Sequence, residues 1–463
     1  MSRLPLIWGE DLDAPLARHA GQPVSRRQYL ADVQALAARL PAAGPMLNVT
    51  GDRYRFAVGL GAAMLRGQDN LMPPNHTPDT IARLHALFPT TYALVDAGAP
   101  ALQLPVIHHT TRHADEPLAH ATVPQVVDAA LAAQVLTSGS TGAPVPHAKQ
   151  WGLLVRNTRA GALRLAEQMG RASLAGVTIV GTVPAQHMYG FESTVLLALL
   201  GGAAFDTERP FYPADIAAAL TRAPRPRMLV TTPFHLKMLL DSGIALPAID
   251  LTLCATAPLS PQLAVRAEAA LAAPLMEIYG CTEAGQVASR RSTAGAEWHT
   301  YDGLRISGDG DHAVVQGGHV PEPTLLADVL EVIDAQHFRL LGRSNDLINI
   351  AGKRSSLGHL NYHLNTIAGV HDGAFWLPPD DAAGGVVRLI AFVVAPELAA
   401  HELHDTVVAA MRQRVDAAFL PRRVVAVPAL PREPTTGKLP AGAFTAWAER
   451  ALAAAPARPV AKG

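Results

Sequence analysis

The amino-acid sequence predicts an α/β protein, with a large N-terminal domain of mostly parallel sheets and helices and a small α+β C-terminal domain. Three observations predict it. Short β-branched runs alternate with helical patterns along much of the chain, as a largely parallel sheet requires. The chain has 463 residues, more than one ordinary core accommodates. After Gly342 the elements become shorter and mixed.

Each element has a local reason. Tyr29–Leu40 places apolar residues at helical spacing, and Pro41 closes it. Phe56–Leu65 reads as a second helix ending near Gly67; its GLG is given no nucleotide role. Val177–Val183, Met228–Thr232 and Leu251–Ala255 are short apolar runs, as buried strands would be. Helices are expected from Pro233 and over Pro261–Leu271. Beyond Gly342, Leu389–Val394 and Val424–Pro428 read as strands and Glu402–Val415 as a helix. The domain boundaries follow: 1–343 large, 344–450 small, and 451–463 an Ala/Pro-rich tail expected to be disordered.

Composition narrows the function. Hydrophobic residues make 49% and charged residues 17%, so the chain can bury a core. The formal net charge of −1 calls for neither nucleic acid nor an anionic membrane. Two cysteines, Cys254 and Cys281, make no disulfide framework and no four-thiolate zinc site, which fits a reduced, cytoplasmic setting. Glu10, Asp11 and Asp13 stand where a signal peptide needs its apolar centre. The longest apolar run, Val195–Phe205, is interrupted by Gly201 and Gly202 and falls short of the ~20 residues that span a bilayer.

The chemistry concentrates in a few motifs. Val135-Leu136 leads into Thr137-Ser138-Gly139-Ser140-Thr141-Gly142, a loop rich in hydroxyls and backbone N–H groups of the kind that cradle an anion. It is no Walker loop, because no G-x-x-x-x-G-K-[ST] occurs here. Three more segments follow in order: EIYGCTEAG at Glu277–Gly285, LGRSNDLINIAG at Leu341–Gly352, and LPREPTTGKL at Leu430–Leu439. With these four segments in register, from about Ser25 to Phe444, the chain resembles the adenylate-forming superfamily of acyl- and aryl-CoA synthetases, peptide-synthetase adenylation domains and luciferases. Such enzymes activate a carboxylic acid with ATP and pass the acyl group to a thiol.

That resemblance implies a site. Thr137, Ser138, Gly139, Ser140, Thr141 and Gly142 would wrap the β- and γ-phosphates. Tyr279, with Gly280 beside it, would stack on adenine, and Thr256-Ala257-Pro258 would form the opposite wall. Thr282 would touch the α-phosphate and Glu283 would hold Mg²⁺, a hard cation that wants oxygen ligands. Asp328 would bind the ribose hydroxyls with help from Arg343. Lys438 would bridge carboxylate and α-phosphate, a mobile point charge. His187 and Phe191 would border the acid pocket together with Gly280. Asn345 would be the hinge, and Gly352 would leave passage for the pantetheine arm. Taken singly, Tyr279 could equally be a core aromatic, Asp328 a cap, Lys438 a solvated lysine and Phe191 core.

A finer resemblance rests on AGKRSSLGHLNYHL, which is similar to stand-alone ligases of aryl polyene and xanthomonadin-type pigment pathways. It implies a hydroxybenzoate-type acid loaded onto a holo acyl carrier protein, with Arg422, Arg423 and Arg432 as a basic docking face. The alternatives are a CoA ligase, a non-catalytic homologue that only binds, and an enzyme that transfers AMP to protein. Several departures stand out. Val145 replaces the usual loop lysine, leaving His147 or Lys149 to supply charge to pyrophosphate. Asn345-Asp346 replaces a pair of acids, Gly358-His359-Leu360-Asn361 replaces an acidic helix start, and 431–437 reads one residue longer than usual. His359 and His363 are four apart, as on one helical face, but lack the Glu of a zinc protease, and the cluster His108, His109 and His113 matches no ligand spacing; both groups are read as packing or solvated residues.

Overall fold

The computed structural model describes residues 2–99, 102–109, 122–138, 144–343, 347–350, 353–378, 388–399, 401–432 and 439–454. It is an α/β structure with a large mixed-sheet domain and a smaller C-terminal one. Two sheets form the large domain. In the first, six strands run in the spatial order Pro144–Gln150, Leu131–Ser138, Asn70–Met72, Met46–Asn48, Tyr92–Val95 and Val106–His108. All its pairs are parallel except the terminal hairpin. The edge arm Pro144–Gln150 has prolines at two alternate positions, Pro144 and Pro146. Alternation puts both nitrogens on the side that faces no partner, where proline is tolerated.

The second sheet has eleven strands. Its heart is parallel: Ala204–Asp206, Thr178–Gly181, Arg227–Thr231, Leu251–Cys254 and Leu275–Cys281 lie side by side. Thr178–Gly181, Arg227–Thr231 and Leu251–Cys254 are buried along their whole length, as strands covered on both faces are. From Gly285 onward the sheet continues antiparallel through Gly285–Arg291, Glu297–Thr300, His337–Arg343 and Asp328–Val332. Most of this extension needs only short turns, the exception being the path from Thr300 to Asp328 through the three-stranded sheet of Leu304–Ser307, Val314–Gly317 and Val320–Leu325, whereas each parallel pair needs a crossover.

The helices start where side chains can cap them. Ser25 accepts from Gln28 N–H, so the first helix is Arg26–Ala37 rather than 29–40. Thr232 caps Pro233–Asp241, and Ser260 caps Pro261–Leu271 with proline at the first turn. The second expected helix is Arg53–Leu65, capped by Asp52. Arg53 is buried, and its guanidinium donates to the carbonyls of Gly181 and Val183 at 3.0 Å each, Asp206 at 2.6 Å and Glu208 at 2.8 Å. It thereby ties this helix to the ends of two strands of the large sheet.

The smaller domain holds the strands Asp372–Trp376, Ile390–Val394 and Arg423–Ala426, with the helices Leu357–Leu364 and Leu403–Arg412. The last helix, Ala441–Ala454, packs Phe444 and Trp447 against Phe392. It corrects the expectation of a disordered tail for Ala451–Ala454, because Ala451 and Leu452 have apolar surface to cover there. Residues 455–463 lie outside the described set. No helix among the described residues is long and apolar enough to cross a membrane.

Candidate active site

Parallel α/β sheets present ligand sites beyond the carboxyl ends of their strands. Three strands of the large sheet, Leu251–Cys254 and Leu275–Cys281 side by side and Thr178–Gly181 one strand further on, deliver expected residues there. His187 follows Thr178–Gly181, Thr256-Ala257-Pro258 follows Leu251–Cys254, and Tyr279-Gly280 ends Leu275–Cys281 with Thr282 and Glu283 next.

Thr256 adopts φ +83°, a region that β-branched residues rarely enter. Its hydroxyl is buried without a hydrogen-bond partner. Strain and an orphaned polar atom coincide at one wall of the site, where such strain tends to collect.

The Tyr279 ring is 7% exposed and packs between Trp298 and Phe338. Its hydroxyl donates to Asp328 Oδ2 at 2.8 Å. Asp328 opens the strand Asp328–Val332 and pairs in register with Arg343. Tyr279, Asp328 and the backbone of Arg343 are thus brought together from separate motifs. Gly280 has no room for a side chain, since a Cβ would come within 2.3 Å of the Gly285 carbonyl.

The turn Thr282-Glu283-Ala284 joins Leu275–Cys281 to Gly285–Arg291, with Cys281 opposite Gly285. Gly285 takes φ +77°, as the residue closing a tight turn must. Thr282 is half-buried and Glu283 exposed. Behind the turn lies a polar cavity of about 50 Å³, lined in part by Lys149, Asn157, Glu192, Glu283 and His319. Lys149 is buried; its ammonium donates to the Thr282 carbonyl and, at 3.3 Å, to that of Glu283. Burial lowers its proton affinity, while Glu192, Cys281 and Glu283 raise it. Glu192 is 3% exposed and accepts from Asn157 Nδ2. Burial pushes its carboxyl up to about 7, against the opposing pull of Lys149 and the Asn157 bond. His319 donates through Nε2 to the Gln286 carbonyl at 2.8 Å, and burial holds it near 4, so it is neutral. Burial likewise pushes the Cys281 thiol up to about 12.

The other expected residues divide. Thr137 Oγ1 meets His147 Nε2 at 3.0 Å across the hairpin, so His147 lies at the foot of the glycine-rich loop. Lys149 lies two residues farther along the same face and is engaged with the Thr282–Glu283 turn instead. His187 is exposed and its Nδ1 accepts from Tyr189 N–H at 3.3 Å. An accepting Nδ1 leaves the ring proton on Nε2. Phe191 is fully buried against Phe56, a core position. Gly139, Ser140, Thr141, Gly142, Asn345, Gly352 and Lys438 lie outside the described residues, and for Ser138 and Arg343 only the backbone is described. Arg432 is engaged bidentately with Asp372 at 2.8 and 2.7 Å.

Among the described residues, no three His, Cys, Asp or Glu side chains gather as a metal site. A magnesium ion held by Glu283 and nucleotide oxygens fits this arrangement, because Mg²⁺ binds through one or two carboxylates and otherwise keeps phosphate and water.

Residues 34–310 match the AMP-binding enzyme family. The chain belongs to that family. This AMP-binding enzyme is 33% identical over 258 residues to a 4-coumarate–CoA ligase of Rhodobacter capsulatus, a match covering 56% of this chain and 62% of the relative. A 4-coumarate–CoA ligase of Halorhodospira halophila is 29% identical over 266 residues, with the same two shares. The chain therefore spans less than two thirds of the length of these curated relatives. Its fold is similar to that of apo MatB from Rhodopseudomonas palustris, with TM-score 0.75, 18% identity, and 95% and 97% of the two chains covered. It is also similar to the anthranilate CoA ligase AuaEII in complex with anthranoyl-AMP, with TM-score 0.74, 14% identity, and 97% and 98% covered. The adenylate-forming superfamily expected from four motifs is the one found.

Glu192, Asn157 and His319 of this AMP-binding enzyme escaped the sequence reading as parts of a site. Glu192 had a signal, being the lone acid in the apolar stretch Phe191–Leu200. Asn157 had none, since a polar residue in a helix reads as solvated.

Proposed function

We propose that this chain is an ATP- and Mg²⁺-dependent ligase that converts a carboxylic acid to an acyl-adenylate and passes the acyl group to a phosphopantetheine thiol. The observation that carries this reading is the Tyr279 hydroxyl on the Asp328 carboxylate, beside the strained Thr256 wall and the Thr282–Glu283 turn. In this reading the ring would supply an adenine face, the carboxylate a ribose acceptor and the turn a phosphate-and-metal edge.

In the first step a carboxylate oxygen attacks the α-phosphorus and pyrophosphate leaves. Both reactants are anionic, so cationic groups must offset their repulsion. Lys438 supplies that charge in this reading, with Thr282 against the α-phosphate and the Thr137–Gly142 loop on the leaving phosphates. Mg²⁺ at Glu283 supplies further charge neutralisation when bound. In the second step the thiol attacks the acyl carbon and AMP leaves. The smaller domain, residues 344–450, turns about Asn345 between the steps, presenting first Lys438 and then the Gly352 side.

For the acid we propose a hydroxybenzoate-type or related aryl compound, with His187 at the pocket border. For the acceptor we propose a holo acyl carrier protein, as the AGKRSSLGHLNYHL resemblance suggests. Free CoA is the second reading, favoured by the CoA ligases among the relatives. The test is ATP-dependent pyrophosphate release across 3- and 4-hydroxybenzoate, cinnamates and medium-chain fatty acids, each with CoA or holo carrier protein. Release with an aryl acid that is lost in Lys438→Ala and completed by the carrier protein is expected. Completion by CoA alone selects the second reading, and no release with any acid refutes the ligase.

A further inference from the structure

The Thr282–Glu283 turn has one half-buried and one exposed side chain, while its carbonyls are gathered by an ammonium that arrives from another sheet. Lys149 stands on the edge arm Pro144–Gln150, where the hairpin register shifts between Lys149 and Gln150. Its neighbours alternate, with Ala148 exposed and Lys149 buried. At the far end of the side chain, Nζ donates to the carbonyls of Thr282 and Glu283, which are 133 and 134 residues away in the chain. A leucine would fill such a position more cheaply, since burying an ammonium costs several kcal/mol unless it is well paired. Glu192 is the buried carboxylate in the same cavity, held by Asn157. Gly285 keeps the passage between turn and cluster narrow: a Cβ there would meet Asn157 Nδ2 and Glu192 Oε1 at 3.0 Å. Turn, lysine and acid are therefore packed as one unit.

We infer that Lys149 is a positioning residue: by holding the Thr282 and Glu283 carbonyls, it aims those two side chains at the phosphates and magnesium of bound ATP. This rests on the ligase reading for the role of the turn. A carbonyl pinned from behind fixes the peptide planes of the turn, and so the directions of the side chains between them. Groups that orient a ligand without touching it typically govern affinity or activity by about 10- to 100-fold. With its ammonium engaged by the two carbonyls, Lys149 acts through Thr282 and Glu283.

The test compares the full chain with Lys149→Met, which keeps the side-chain length and removes the donors, and with Lys149→Arg, which keeps a cation. Calorimetry measures affinity for Mg·ATP and, without metal, for AMP. Pyrophosphate release gives kcat and the KM for the acid. In Lys149→Met, Mg·ATP affinity and kcat are expected to fall about 10- to 100-fold, with AMP affinity and the acid KM changed less than about 3-fold. Lys149→Arg is expected to recover part of both losses. Unchanged Mg·ATP affinity in Lys149→Met would overturn the inference, as would an equal loss of AMP affinity, which marks mere structural damage. Should Lys149→Met not fold, Lys149→Gln serves in its place with the same expected and overturning results. Wild-type protein that binds Mg·ATP but turns over no acid refutes the ligase alone, and the calorimetric comparison still decides for Lys149. Wild-type protein that binds no Mg·ATP overturns both.

Discussion

Replacing Glu192 by glutamine should change how the stability of this protein depends on pH. Glu192 sits buried with Asn157 on one oxygen, and burial lifts its carboxyl from 4.5 to about 7 even though Lys149 and Asn157 pull the other way. An acid whose proton is held more tightly in the fold than in the unfolded chain costs nothing while both states are protonated, below about pH 4.5. As pH rises from there to about 7, the unfolded chain releases the proton first and stability falls; above about 7 both states are ionised and the cost is constant. The shift is about 2.5 units, or roughly 3 kcal/mol when complete. Between pH 5 and pH 7.5 the wild type should lose roughly 2 kcal/mol through this one group. Glu192→Gln keeps the shape and an oxygen for Asn157 and has no such titration. Urea unfolding of both proteins at pH 5 and at pH 7.5 measures the difference of differences. The variant should gain roughly 2 kcal/mol on the wild type as the pH is raised. Parallel pH profiles would mean that Glu192 is ionised in the fold at neutral pH, and the reasoning from burial would be wrong.

Two other outcomes are expected. Arg53→Met leaves the carbonyls of Gly181, Val183, Asp206 and Glu208 without their donor, and should cost roughly 3 kcal/mol in urea unfolding at any neutral pH; a loss under about 1 kcal/mol would show that water replaces the guanidinium. Tyr279→Phe removes the bond that steadies Asp328 and should weaken AMP binding roughly 10-fold by calorimetry. The same substitution should matter less for a nucleotide lacking both ribose hydroxyls, and an equal effect on the two would remove Asp328 from the ribose.

The parts of this fold that could be read in the sequence are those whose causes are local. Pro261–Leu271 is bounded by a serine cap and a first-turn proline, and it was found where expected. The buried parallel strands announce themselves as continuous apolar runs. The hairpin arm Pro144–Gln150 was not legible, because two prolines in seven residues read as loop until its position at the sheet edge is known. Nor was the π-helical Phe191–Leu196, where Thr194 Oγ1 donates to the Gly190 carbonyl at 2.5 Å and the backbone widens by one residue per turn. The site divides similarly. Tyr279, Asp328 and the Thr282–Glu283 turn carry motif signatures, so their convergence was expected in outline. The inward turn of Lys149 depends on carbonyls more than a hundred residues away, and no local pattern encodes that.

The prolines of the edge arm also bear on the behaviour of the protein in a crowded cell. An open sheet edge with free amides is a template on which another chain can add a strand, and repeated addition is how cross-β fibrils grow. At Pro144 and Pro146 those amides do not exist, so the border beside the glycine-rich loop offers an incoming strand too few donors to pair. Among the described residues this edge of the first sheet can stay open without inviting strand addition at those two positions.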